Sequence, residues 1–251
     1  MNRRTLPGPF IVAHRGSSGR APENTLASFR RAVDDRAEMI ELDVRLSSDE
    51  ELVVLHDRTL RRTTGCNGAV RSRTVAALKA CDAGSWFSPA FSGERIPVLQ
   101  EVIDALPASL PVNIEVKTDG DRRRAGLLAS KLIRCITRNH AISRVMVSSF
   151  DHRFLRLLHD TAPRLTIGAL ILPLAGATRR PDTYARKCGA RWLVYAKRQI
   201  SRRVVDRAHR SGLLVGCFTV NSEREYRRIE RSGVDAIVTN HPALMRTLRG
   251  R

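Results

Sequence analysis

Short β-branched runs alternate with longer amphipathic stretches about eight times along this chain, the rhythm of successive strand–helix units. The runs are Phe10–His14, Met39–Val44, Val112–Lys117, Arg144–Ser148, Leu165–Leu170, Trp192–Tyr195, Leu213–Phe218 and Ala236–Thr239. Asn24 or Thr25 suits the cap of the first helix, where Pro22 and Glu23 precede it and Leu26, Phe29 and Val33 form an apolar stripe. Later helices are expected to start near Asp121, Asp151, Ser201, Ser222 and Pro242. Eight such units in 251 residues predict an α/β fold of the (β/α)8 TIM-barrel type.

One segment breaks the rhythm. Glu51–His56 reads as an extra short strand, and Asp57–Pro97 is a long excursion containing Gly and Ser before a helix at Val98–Leu106. A structureless loop of that length would count against the assignment. The segment is therefore expected to be a small insertion after the second strand, about 57–97, placed over the active face, because candidate catalytic residues flank it. Residues 1–251 then form a single domain.

Composition adds limits. A hydrophobic content of 42% can bury one large core. Met1-Asn2-Arg3-Arg4 runs into Phe10-Ile11-Val12-Ala13-His14 with no apolar h-region, so no cleaved signal is expected and the location is read as cytoplasmic. The longest uncharged stretch, Leu165–Ala177, is too short and too broken by Pro and Gly for a membrane span. The five cysteines include no Cys-x-x-Cys pair, which argues for small buried hydrophobes over a disulfide framework or thiolate zinc site.

The net charge of +19 comes almost wholly from arginine, scattered as pairs such as Arg61-Arg62, Arg179-Arg180 and Arg202-Arg203 and the triplet Arg122-Arg123-Arg124. No block of five like charges appears and aromatics are only 5%, so no nucleic-acid partner is expected. Solvated helix faces account for most of the charge. What remains is attraction to anionic substrates, or weak association with an anionic membrane surface.

The candidate chemistry sits at the ends of the early strand-like runs: His14-Arg15, Glu41-Leu42-Asp43, His56-Asp57 and Glu115-Val116-Lys117. Residues two apart on a strand share a face, so Glu41 pairs with Asp43 and Glu115 with Lys117. If that face is a barrel interior, three carboxylates converge on one hard divalent ion, Mg²⁺, Ca²⁺ or Mn²⁺, and Arg15 and Lys117 are left to hold phosphate. His14 and His56 can divide the proton transfers as general acid and base. The alternative keeps Glu41, Asp43 and Glu115 in internal salt bridges with Arg15, Arg45 and Lys117, with both histidines structural. Glu23 and Asn24 are expected to support the site from behind. His140, His152, His159 and His209 fall on arginine-rich helical stretches and suggest surface or capping roles; His241 follows the eighth strand and so lies on the active face, but Thr239-Asn240-His241-Pro242 also reads as a helix entry, which leaves it outside the candidate site.

The ordered set of motifs resembles the glycerophosphodiester phosphodiesterases. It comprises His14-Arg15-Gly16, Pro22-Glu23-Asn24-Thr25, Glu41-Leu42-Asp43-Val44, His56-Asp57, Arg62-Thr63-Thr64-Gly65, Gly84-Ser85-Trp86-Phe87, Ile96-Pro97-Val98-Leu99 and Ile114-Glu115-Val116-Lys117. It continues through Ser149-Phe150-Asp151, Thr219-Val220-Asn221 and Gly233-Val234-Asp235-Ala236-Ile237-Val238-Thr239. The resemblance implies a barrel, a divalent metal on Glu41, Asp43 and Glu115, and His14 with His56 as the acid/base pair. It implies hydrolysis of glycerophosphodiesters to sn-glycerol 3-phosphate and an alcohol. Where that family commonly has Trp before Thr-Val-Asn and Asp after the last strand's Thr, this chain has Phe218 and Asn240, departures expected to affect the alcohol or glycerol pocket. The rival readings are a head-group hydrolase of lysophospholipase D type, hinted at by Leu170–Ala177 with Trp86 and Phe87, and a non-catalytic barrel that binds anionic surfaces.

Overall fold

The computed structural model describes residues 8–172 and 181–250. Arg3-Arg4, Arg179-Arg180 and most of the apolar loop expected at Leu170–Ala177 lie outside them. Strands β1 (Phe10–His14), β2 (Met39–Leu46), β4 (Val112–Val116), β5 (Val145–Ser149), β6 (Thr166–Ile171), β7 (Trp192–Ala196), β8 (Leu214–Phe218) and β9 (Ala236–Thr239) pair in parallel, and the pairing of β1 with β2 closes the ring. The eighth and last strand of this barrel is β9, because β3 (Leu52–Val54) is an antiparallel extra. β1 covers one edge of β2 only at Met39–Glu41, and β3 pairs with Val44–Leu46, beyond β1's reach.

Strand period and barrel closure sort the apolar residues into two cores. Outward residues such as Ile11, Ile40, Leu42, Val44, Ile114 and Val147 pack under the helices, with Phe29, Leu132 and Phe154. Inward residues Val12, Met39, Met146, Leu170, Trp192 and Val194 fill the lower barrel. Truncating a fully buried member such as Leu42 to Ala costs about 2–5 kcal/mol. The N-terminal mouth of the barrel opens into a cavity of about 770 Å³ lined by Phe10, Val12, Met39 and Trp192 among others; none of the candidate site residues lines it.

The helices start where their caps direct. Thr25 caps α1 (Leu26–Asp34) with a reciprocal Ser28 bond, so the first of the two expected capping residues, Asn24, is free for another task. The insertion carries α2 (Arg61–Thr64) and α3 (Val75–Lys79), and α4 (Leu99–Ala105) follows it. Asp121 caps α5 (Arg122–Arg138), Asp151 caps α6 (His152–Thr161), Ser201 caps α8 (Arg202–Arg210) and Ser222 caps α9 (Glu223–Arg231). α7 (Pro181–Lys187) is an additional helix that the sequence pattern does not announce, and α10 (Pro242–Arg249) starts on its proline.

The insertion has its own small core of Val53, Leu55, Leu60, Val70, Leu78 and Ile96. Here one expectation fails. Cys66 and Cys81 form a disulfide across this insertion, closing a loop of sequence separation 15. Spacing alone did not reveal it, because the two cysteines meet only when α3 folds back on the segment after α2. Cys188 and Cys217 are the buried hydrophobes expected, and Cys135 is half-buried.

Candidate active site

The site lies at the C-terminal ends of β1, β2 and β4. Inward-facing Glu41 and Asp43 on β2 are buried, and Asp43 stands opposite Glu115 on β4 while Glu41 stands opposite His14 on β1. Ligand oxygens of Glu41, Asp43 and Glu115 lie within 4.8 Å of one another. Unlike charges answer this cluster from two sides. Lys117, just past β4 and tied by its N–H to the Val44 carbonyl, bonds Glu115 and lies 3.0 Å from Asp43. Arg15 Nε lies 3.2 Å from Asp43 Oδ2, and its backbone N–H donates to Glu41 Oε2 at 2.8 Å. That backbone bond needs a turn immediately after β1. Arg15 and Gly16 both take positive φ, and a Cβ on Gly16 would come within 2.5 Å of Ser28 Oγ.

Asn24, also at positive φ, spends its side chain on Asp43: Nδ2 donates to Oδ2 at 2.9 Å and Oδ1 accepts from the Asp43 N–H at 3.2 Å. Glu23 accepts from Arg15 and Arg62. The alternative of pure internal ion pairs holds in part. Arg15 and Lys117 do pair with the acidic cluster, but Arg45 turns away, donating to the His56 carbonyl and to Asp119.

The three carboxylates differ in how firmly they hold a charge. Burial, with Asp43 and Glu115 beside it, pushes Glu41 well above the usual carboxylate range, and its Oε1 is buried without a partner. Burial and Asp43 raise Glu115, with Lys117 opposing. Burial acts the same way on Asp43, but Lys117 and Arg15 outweigh it and hold it far below its ordinary value. An oxygen-only donor set with an orphaned carboxylate oxygen, in a setting that disfavours bare negative charge, is chemically suited to a hard divalent ion.

The two histidines face this cluster from opposite settings. His14 Nδ1 donates to Asn240 Oδ1 at 2.7 Å, and burial, then Arg15, lowers its pKa to about 4. His56 Nδ1 bonds Asp57 Oδ1 at 2.7 Å, and burial lowers it while Asp43 pulls it back up. Asn240 therefore touches a proposed proton-transfer residue, contrary to the expectation that it shapes only the alcohol pocket. Its place is fixed by Asn221, whose Oδ1 accepts the Asn240 N–H at 2.9 Å.

Residues 14–244 match the glycerophosphoryl diester phosphodiesterase family. The chain belongs to that family. It is 38% identical over 234 residues to the glycerophosphodiester phosphodiesterase of Caldanaerobacter subterraneus subsp. tengcongensis, covering 93% of this chain and 94% of that protein. The corresponding enzyme of Bacillus altitudinis is 34% identical over 236 residues, covering 92% and 94%. Among solved structures, an Oleispira antarctica phosphodiesterase in complex with the product sn-glycerol-3-phosphate superposes with a TM-score of 0.88 at 27% identity, covering 97% of this chain and 98% of that one. Family membership makes this chain a phosphodiester hydrolase on a TIM barrel.

Arg62 at this site was not among the candidate residues. Arg62 carries four hydrogen bonds there, and its only signal was its place in a quoted motif. Of the other histidines, His152 bonds the Leu170 carbonyl, His209 bonds Asp235, and the rings of His159 and His241 pack onto Gly189 and Gly19.

Proposed function

We propose that this protein hydrolyses glycerophosphodiesters to sn-glycerol 3-phosphate and an alcohol, with a divalent ion, Mg²⁺ or Ca²⁺ before Mn²⁺, held by Glu41, Asp43 and Glu115. The observation that carries the reading is the three-carboxylate cluster flanked by two cations and two histidines at one barrel mouth. When bound, the ion offsets the phosphodiester's charge as more develops in the transition state. Arg15 and Lys117 hold the phosphoryl oxygens in a buried setting where donors act strongly. Asn24 fixes the Asp43 carboxylate and Glu23 fixes Arg15. His14, neutral and backed by a neutral amide, takes the proton from the nucleophile. His56, backed by the Asp57 carboxylate, gives its proton to the leaving alkoxide. The 1–251 chain acts as one domain, and its insertion supplies part of the site.

The test is release of glycerol 3-phosphate from glycerophosphocholine, glycerophosphoethanolamine and glycerophosphoglycerol, with and without added divalent ions. Chelation is expected to abolish it, and Glu41→Ala, Asp43→Ala and Glu115→Ala to be inactive but folded. Full turnover in excess chelator after dialysis would remove the metal assignment.

One observation favours a wider substrate range. Trp86 is 40% exposed in the insertion, its indole N–H tied to the Ala83 carbonyl, and it stacks edge-on with Phe87, which stacks with Phe91. Such a patch, with the +19 charge, supports weak contact with anionic lipid. Soluble diesters remain the proposed substrates; a higher kcat/KM on lysophospholipid vesicles would transfer the proposal to the lysophospholipase D reading. No helix among the described residues is long and apolar enough to cross a membrane. A cytoplasmic location belongs to this proposal and meets one opposing fact, the Cys66–Cys81 disulfide, since such bonds persist mainly in oxidising compartments. Thiol trapping on fractionated cells decides it.

A further inference from the structure

An unbroken chain of side chains of alternating charge runs from the metal-ligand candidate Asp43 around the mouth to His56. Asp43 meets Arg15 at 3.2 Å, and Arg15 donates to Glu23 Oε1 at 2.8 Å. Glu23 then accepts from both terminal nitrogens of Arg62, at 2.8 and 2.7 Å. Arg62 donates onward to both oxygens of Asp57, at 2.7 and 3.0 Å, and Asp57 holds His56 Nδ1 at 2.7 Å. Arg62 stands at the centre. It is the one member supplied by the insertion's α2, and it joins the barrel's β1–α1 loop to the dipeptide that carries His56.

A guanidinium suits this post. Its rigid fork serves two carboxylates at once, which a lysine ammonium cannot do with fixed geometry. Stability does not explain the arrangement. The Arg62 side chain is 44% exposed, and ion pairs that wet contribute little to folding. Orientation does. Asp57 can point the His56 ring only if it is itself held, and Glu23 can aim Arg15 at the phosphate only if its other oxygen is anchored. The Cys66–Cys81 disulfide adds to the rigidity, because Cys66 donates its N–H to Thr64 Oγ1, the last residue of α2.

We infer that Arg62 is a positioning residue for the hydrolysis, setting the ring of His56 through Asp57 and the guanidinium of Arg15 through Glu23. The inference rests on the proposed function for its consequence in turnover. It yields a split that a purely structural role would not. Loss of the Asp57 arm lowers kcat through His56, whereas loss of the Glu23 arm raises KM through Arg15.

The experiment compares wild type, Arg62→Ala, Arg62→Lys, Asp57→Asn and the Arg62→Ala/Asp57→Asn double variant on glycerophosphocholine with Mg²⁺. Arg62→Ala is expected to lose about 10- to 100-fold in kcat, the usual effect of removing a group that orients a reacting residue, and to raise KM several-fold. Arg62→Lys recovers one effect in part and not both. The double variant loses little more than Arg62→Ala, because the two share one arm. Thiol counts on the denatured variants keep Cys66 and Cys81 oxidised, and Mn²⁺ binding measured calorimetrically without substrate stays as in wild type. Wild-type kcat and KM in Arg62→Ala, or fully additive losses in the double variant, would overturn the inference. A readout independent of turnover separates it from the function itself. The ¹⁵N-edited signal of the His56 Nδ1–H, held by Asp57 in wild type, broadens or vanishes in Arg62→Ala; an unchanged signal overturns the inference even if wild type hydrolyses no diester.

Discussion

The two histidines at the mouth are the same side chain placed in two kinds of surroundings. His14 ends a barrel strand, is partnered by an uncharged amide and is held neutral by burial. His56 follows β3 beside the insertion, is half-buried, and is partnered by a carboxylate that a guanidinium clamps. An amide leaves the imidazole neutral with Nε2 as an open acceptor, while a carboxylate stabilises the imidazolium. The difference suggests that a fold can divide acid from base without changing residue type, by choosing what stands behind each ring.

The sharpest way to break this comparison is to remove each ring and vary the leaving group. His14→Ala and His56→Ala should each lower kcat on glycerophosphocholine by about 10²- to 10⁴-fold. With a p-nitrophenyl phosphodiester, whose leaving group departs without a proton, His56→Ala should regain most of that loss and His14→Ala should not. Equal recovery in both variants would undo the division of roles.

A milder change reverses the character of one side. Asn240→Asp places a carboxylate behind His14, which raises the ring's pKa by roughly a unit or more. Because a base must be unprotonated to act, the acid limb of kcat/KM should move to higher pH, with about tenfold lower activity near that limb. A pH profile superimposable on wild type would show that Asn240 does not back the base.

The acidic cluster that both histidines share predicts that metal and protons compete for it. Burial beside Asp43 and Glu115 pushes Glu41 above the usual carboxylate range, whereas a metal ion takes the deprotonated carboxylate. Metal uptake should therefore be linked to proton release, with affinity weakening as pH falls. Calorimetry in buffers of different ionisation enthalpy measures this, and a buffer-independent heat would contradict it. His14 adds a related sign. Its folded pKa of about 4 lies below the unfolded 6.5, so the unfolded chain binds more protons between those values, and stability falls as pH drops through that window.

The smallest effect on turnover concerns the insertion, which supports His56 and not His14. Cys66→Ser should lower stability by up to about 3 kcal/mol, as expected for a closed loop of this length, and change kcat only a few-fold. A loss as large as that of Arg62→Ala would mean that the disulfide, not the guanidinium, governs the geometry of His56. Thermal unfolding with and without reductant, beside the same assay, measures both.

Much of the site was legible because β structure converts spacing into direction. Glu41 and Asp43 had to share a face, and the closed barrel turned that face inward. Caps written in Asp121, Asp151, Ser201 and Ser222 were equally readable, since the bond they make spans three residues or fewer. The first cap was ambiguous between Asn24 and Thr25, and only the approach of β2 assigned Thr25 to the helix and Asn24 to Asp43.

By itself the sequence determined the strand–helix alternation, the sharing of faces and the types of group that meet at the mouth, because these follow from periods of two and 3.6 residues. Only the tertiary structure decided which partner each group received. Asn240 reaches His14 across a sequence distance of 226, Arg62 reaches Glu23 across 39, Arg45 turns from the carboxylates to the His56 carbonyl, and Cys66 finds Cys81. No local period encodes such contacts. They arise when barrel closure and the folding back of the insertion bring distant segments within hydrogen-bond range, and there a neighbour's charge, rather than a residue's own type, decides what each side chain can do.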